Sequence, residues 1–231
     1  YDLFITEMID DWLGIRKELS KRDKKSNQWL WIGPYDHEYT AEFTATAGRT
    51  KLDESVKKAR WQILERFFNY WLKQQKNGWN EEPPIRYYAM GRNQWRSETN
   101  WPFSQTEYIP FYFHSSGNAN SLYGDGELKS ELPEIPKKNQ FFYDPENPIV
   151  AYDQETSIWN IAETMKDRRI FEIRNDVLVF SGDELKEDTE ITGALKVVLF
   201  ASSSARDTDF TATLVDVHPE GYAQLVQEGI I

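Results

Sequence analysis

Cysteine is missing from the chain altogether. That excludes disulfides, thiolate metal sites and a cysteine nucleophile. No apolar run approaches the roughly 18 residues that a membrane-spanning helix needs. Basic charge is in deficit, with 27 lysines and arginines against 38 aspartates and glutamates, a net charge of −11 and a pI near 4.9. Such a chain repels phosphate backbones on average, so neither nucleic acid nor membrane is expected as a partner. Histidine is scarce as well: three in 231 residues, at 37, 114 and 218, without a His-Glu-x-x-His pattern. No zinc site is expected, and no other metal or organic cofactor. None of the 12 glycines has a serine two positions on, so the chain holds no Gly-x-Ser-x-Gly nucleophile elbow. It opens on Tyr1-Asp2-Leu3-Phe4, with neither methionine nor a charged-then-apolar leader pattern.

What the chain has in plenty is aromatic surface. Phe, Trp and Tyr make up 15% of it, with nine tryptophans, enough to build large cores and to argue against global disorder. The length suits one or two domains. Residues 3–19 place Ile5, Met8, Ile9, Trp12, Leu13, Ile15 and Leu19 at helical spacing. Residues 28–32 read as a short strand on the apolar run Trp29–Ile32, and residues 38–52 as loop. A second helix is expected from about Asp53, with Thr50 or Asp53 as cap. Its stripe is Val56, Ile63, Leu64, Phe67, Phe68, Trp71 and Leu72, and Asn77-Gly78 supplies the stop.

After Glu82-Pro83-Pro84 the texture changes to short β-rich runs between turn signals: Ile85–Met90, Tyr108–His114, Phe141–Tyr143, Asp176–Phe180, Leu195–Ala201, Phe210–Val217 and Tyr222–Val226. That pattern predicts an antiparallel β-sandwich of the jelly-roll kind, with a boundary near residue 82. The piece before the boundary shows one evident strand. It is too short for a complete α/β domain and leaves both helix stripes without a sheet to cover. An exposed apolar patch, and with it a homo-oligomer, is the expected consequence.

Three local clusters read as structural. Lys21–Lys25 is a solvated loop between helix and strand. Asp207 and Asp209 invite a calcium reading but lack the rest of a ligand set, and fit a turn at a strand start. Gly124 and Gly126 lie in a β-turn, since no strand-to-helix junction follows that could cradle a phosphate. His114 at a strand end and His218 before Pro219 likewise suit structural or surface roles.

His37 is different. It follows the strand in Gly33-Pro34-Tyr35-Asp36-His37, and Asp2 precedes the first helix. An α/β-hydrolase triad runs in the chain order serine, acid, histidine, with acid and histidine after late strands. The acid fixes the imidazole tautomer; the histidine takes and returns the serine proton. Asp2 and His37 fit those places, although spacing alone favours a structural loop role for His37.

The ordered motifs carry more. Tyr1-Asp2-x-Phe4, Ile32-Gly33-Pro34-x-Asp36-His37, Phe67-Phe68-x-Tyr70-Trp71-Leu72-Lys73, Met90-Gly91 with Trp95-Arg96, Tyr143-Asp144-Pro145, Ile191-Thr192-Gly193 and Asp207-Thr208-Asp209-Phe210 run nearly end to end. In this order the chain resembles the C-terminal part of the cocaine esterase / X-prolyl dipeptidyl-peptidase family of serine hydrolases. The resemblance implies the tail of an α/β-hydrolase domain over residues 1–82 and a jelly-roll, galactose-binding-like β-sandwich over 83–231. It implies Asp2 as triad acid, His37 as triad base and Phe4 as a lining residue of the acyl pocket. It places the serine, the helical cap and the oxyanion donors upstream of Tyr1, and the end of the jelly roll past Ile231. The expected partner is a small ester or a short peptide substrate, cleaved without a cofactor. A non-catalytic β-sandwich binding module is the rival reading.

Overall fold

The computed structural model describes residues 4–24, 26–39, 41–47, 49–149 and 167–231. They fall into two compact units, the first running to Gln105 and the second starting at Thr106. Among the described residues, no helix is long and apolar enough to cross a membrane.

In the first unit the helical spacing is realised as α1 (Ile5–Lys21). β1 (Leu30–Ile32) follows. The stretch read as loop instead holds a single helical turn, α2 (Ala41–Thr44), and a two-residue pairing of β2 (Thr46–Ala47) with β3 (Thr50–Lys51). α3 (Val56–Trp71) comes next, then a 3-10 turn at Trp79–Glu81, β4 (Ile85–Ala89) and β5 (Gln94–Glu98). α3 is capped neither by Thr50 nor by the Asp53 side chain: Ser55 holds the N-cap position, and the Asp53 carboxylate accepts the Ser55 N–H at 2.9 Å just ahead of it.

The sheet order is β1-β4-β5, parallel between β1 and β4 and antiparallel between β4 and β5. The register Leu30↔Ile85, Trp31↔Arg86, Ile32↔Tyr87 joins residues on either side of the Glu82-Pro83-Pro84 break. Strand pairing thus carries the first compact unit past residue 82, where the change of texture falls, and on to Gln105. It also gives α1 the surface that a lone strand could not. Trp12, with Ile9 and Leu13 beside it, packs on Leu30, Ile85, Tyr87, Ala89 and Phe103. A fully buried leucine, isoleucine or phenylalanine in such a cluster contributes roughly 1.5–3 kcal/mol from area alone. α3 uses its aromatic stripe differently: Phe67 and Trp71 meet Trp29, and Trp79 closes the group at 5.3 Å from both Trp29 and Phe67. The other side of the stripe, with Trp61, Phe68 and Leu72, is exposed.

The second unit holds short strands joined by long irregular stretches. β6 (Tyr112–His114) pairs antiparallel with β7 (Glu127–Lys129), and β8 (Thr211–Val217) with β9 (Ala223–Ile230), across a bulge at Leu214/Val215. One helical turn, α4 (Arg169–Glu172), lies between. The Asp176–Phe180 run makes ladder-like bonds, with Val179 N–H donating to the Ala119 carbonyl at 2.9 Å and Ser121 N–H donating to the Val177 carbonyl at 2.8 Å, and Leu128 N–H donates to the Ser181 carbonyl just past it at 2.9 Å. Phe141–Tyr143 and Leu195–Ala201, expected as strands, take up no strand structure; Phe142 and Phe200 point into solvent. Their β-branched and aromatic residues fit a pleated surface, but that preference is realised only against a paired neighbour. The unit is compatible with a β-sandwich.

Candidate active site

β1 delivers the chain to Gly33, and Gly33 has to be a glycine. A Cβ there would overlap the ring of Tyr35, which folds back over the strand end. The ring packs 5.5 Å from Trp31 and 6.0 Å from Tyr39, and the phenol donates to the Val56 carbonyl at 2.7 Å. Burial, with the Glu42 carboxylate adding to it, pushes the Tyr35 phenol well above its ordinary range, so it stays a donor at every working pH. Pro34, Tyr35 and Asp36 are all buried, and together they anchor the turn that follows.

His37 and Glu38 form the corner of that turn, closed by the Tyr39 N–H donating to the Asp36 carbonyl at 3.1 Å. The Asp36 backbone thus serves the turn. His37 is exposed. Phe4, at the foot of α1, meets it edge-on with ring centroids 5.8 Å apart. The structure therefore brings together two of the three residues singled out from the sequence. The third, Asp2, lies outside the described residues. An exposed imidazole against an aromatic edge, at a rigid strand end, can exchange protons with a bound molecule. An exposed Phe4 offers that molecule an apolar wall.

Sequence reading did not find what holds the turn. Glu42 is buried and takes a bidentate grip from Arg60 of α3, Nε to Oε1 and Nη2 to Oε2, the latter at 3.0 Å. The Arg60 guanidinium also lies 4.0 Å over the Tyr39 ring and 4.4 Å from that of Trp61. Arg60 sits in the polar part of the α3 pattern, and no spacing rule links it to a glutamate 18 residues earlier in α2.

His114 and His218 belong to the second unit. The His114 Nε2 lies 2.7 Å from the Glu131 carbonyl at the end of β6. His218 opens the β8–β9 turn, edge-on to Tyr222 and 3.8 Å from Asp216. Asp207 and Asp209 are exposed just ahead of β8, and no group of three or more metal-ligating side chains occurs among the described residues.

The fold of this chain is shared with solved proteins. An aminopeptidase from a marine sediment archaeon, Thaumarchaeota archaeon, superposes with a TM-score of 0.72 at 22% identity, over 93% of this chain and 36% of the other. An α-amino acid ester hydrolase superposes at 0.66 and 24%, with the same coverages. The family described as the X-Pro dipeptidyl-peptidase C-terminal non-catalytic domain matches residues 77–231. Cocaine esterase of Rhodococcus sp. (strain MB1 Bresler) is 32% identical over 237 residues, which is all of this chain and 39% of that protein. The chain belongs to this cocaine esterase / X-Pro dipeptidyl-peptidase family. It spans about two fifths of the length of the relative it matches.

Proposed function

We propose that this chain carries the acid–base half of a serine hydrolase acting on ester or amide bonds. His37 is the general base towards an attacking serine and then the general acid towards the leaving group. Asp2 orients its imidazole and stabilises the imidazolium. The serine lies in sequence ahead of Tyr1, as the greater length of the esterase relative and the lack of any Gly-x-Ser here both suggest. Phe4 lines the acyl side of the pocket. One observation carries the reading: the Phe4 ring stands against the His37 imidazole, and Asp2 is two residues from Phe4.

In this reading residues 1–82 are the tail of an α/β-hydrolase domain and 83–231 a jelly-roll sandwich. The start of the family match at residue 77, after both helices and the histidine turn, supports that division. The description of the matched family as non-catalytic favours a second role for the later part: a β-sandwich that binds or packs and does no chemistry.

The test is made on the full-length protein that includes this segment, against a panel of p-nitrophenyl esters and X-Pro amides. His37→Ala and Asp2→Asn are each expected to lower kcat by about a thousandfold or more. A parent with no serine elbow, or a His37→Ala enzyme at wild-type rate, sinks the proposal. The 231-residue chain alone is expected to turn over esters no faster than its own His37→Ala variant, and burst kinetics from it would refute the assignment of the serine.

A further inference from the structure

We infer that Arg60 is a positioning residue for His37, acting through Tyr39 and Glu42; the inference rests on the reading of His37 as the base. The direction of a histidine at the corner of a turn depends on the backbone that carries it as well as on its ring contact, here with Phe4, and a base misplaced by an ångström loses most of its effect. The turn is held on its entry side by buried Tyr35 and Asp36. On its exit side stands Tyr39 at φ 57°, in the left-handed region that disfavours a side chain of that size. A residue persists there only when its surroundings over-determine it.

The surroundings in question are Arg60. Its guanidinium stacks on the Tyr39 ring at 4.0 Å while its fork grips the buried Glu42 carboxylate. The Glu42 N–H donates back to the Tyr39 carbonyl at 2.9 Å. Ring, carbonyl, carboxylate and guanidinium thus close a circuit around the exit of the turn, fastened to a helix of 16 residues. Both halves of the circuit need a planar, delocalised cation with two parallel donors. Lysine offers a point charge on a flexible stem and supplies neither. None of these residues belongs to the core cluster around Trp12 and Ile85, so the circuit can be opened without dismantling the sheet.

With three histidines in the chain, the imidazole Cε1–H signals can be assigned by single substitutions and followed directly. In the 231-residue chain, Arg60→Ala, Arg60→Lys and Glu42→Gln are expected to shift and broaden the His37 signal, and to leave His114 and His218 in place. In the full-length enzyme the same variants are expected to lower kcat at least tenfold with KM within twofold of wild type, and Arg60→Lys is expected not to rescue. An unmoved His37 signal in Arg60→Ala overturns the inference, and so does full activity in Arg60→Lys. Uniform changes at all three histidines would mean general loosening, which also overturns it. If instead the full-length His37→Ala enzyme keeps its activity, the proposed function fails while the spectroscopic result still decides the role of Arg60 in the turn.

Discussion

Asp167 is the sharpest test of how the second unit is held. Its carboxylate joins α4 to the first residue of β9. Oδ1 accepts the Arg169 N–H and the Ala223 N–H, each at 3.2 Å, and the Arg169 Nε lies 3.0 and 2.8 Å from the two oxygens. The Arg169 side chain above all, then the two backbone donors, hold the Asp167 carboxyl at about 2 against an ordinary 3.8. A drop of that size corresponds to roughly 2.4 kcal/mol of preference for the ionised form. A quarter of the Asp167 side chain is exposed, and solvent screening reduces the net contribution to about 1–2 kcal/mol. Because the folded value lies below the unfolded one, the stabilisation is complete above the unfolded value and is lost as pH falls from about 5 through 2. Asp167→Asn keeps the shape and an acceptor but removes the charge. Its unfolding free energy should fall short of wild type by about 1–2 kcal/mol at pH 6, and the gap should close as pH approaches 2. The eight described tryptophans all lie in the first unit, so their fluorescence is silent on this point. Urea unfolding followed by far-ultraviolet dichroism, with hydrogen exchange at the Ala223 amide, reads the second unit directly. Every other carboxylate is common to both proteins and cancels in the difference. A gap as wide at pH 2.5 as at pH 6 would refute the reasoning.

In the first unit, Ile85→Ala removes a side chain with no exposure from the first pair of the β1–β4 register. It should cost about 2–4 kcal/mol, read by tryptophan fluorescence in urea; a loss below 1 kcal/mol would mean that the α1–sheet contact is not the core described. Gly126→Ala drives a Cβ into the Val179 carbonyl, which is backbone and cannot swing aside. Destabilisation of about 1–3 kcal/mol is expected. It should come with loss of exchange protection at the Ser181 amide, the donor to the Gly126 carbonyl at 3.2 Å; wild-type protection would contradict the pairing. Gly33→Ala displaces the Tyr35 ring and breaks its bond to the Val56 carbonyl. The Tyr35 phenol should then titrate closer to its ordinary value in an ultraviolet titration, and an unchanged titration would show that the ring does not depend on Gly33.

Periodicity made the helices legible, because α1 and α3 repeat their apolar residues at the helical spacing over four turns or more. β8 and β9 were legible from alternation and from the His218–Gly221 turn between them. β5 was not. Gln94–Glu98 holds one large apolar residue among polar ones, and it is a strand because β4 offers it a ladder. Leu195–Ala201 is the converse: strand-like residues that take up no strand structure. The parallel match of Leu30 with Ile85 was beyond reach for a related reason. Pairing across such a separation leaves no trace in either segment alone, so composition could not show that β1 and β4 pair across the change of texture at Glu82.

The candidate site divides along the same line. Residue types that a proposed chemistry demands can be singled out in a sequence, as His37 was by its motif and the resemblance that motif carries. The residues that aim a side chain are selected by reach. Arg60 and Glu42 are 18 residues apart, one within α3 and the other in a stretch whose sequence suggests a loop. Only folding brings a guanidinium against both a carboxylate and a ring that sits two residues from the histidine. Long side chains can bridge many separations, so their pairing carries almost no sequence signature. Positioning residues around a recognisable base are therefore what a structure adds, and they are also where a substitution should lower kcat without announcing itself as an active-site change.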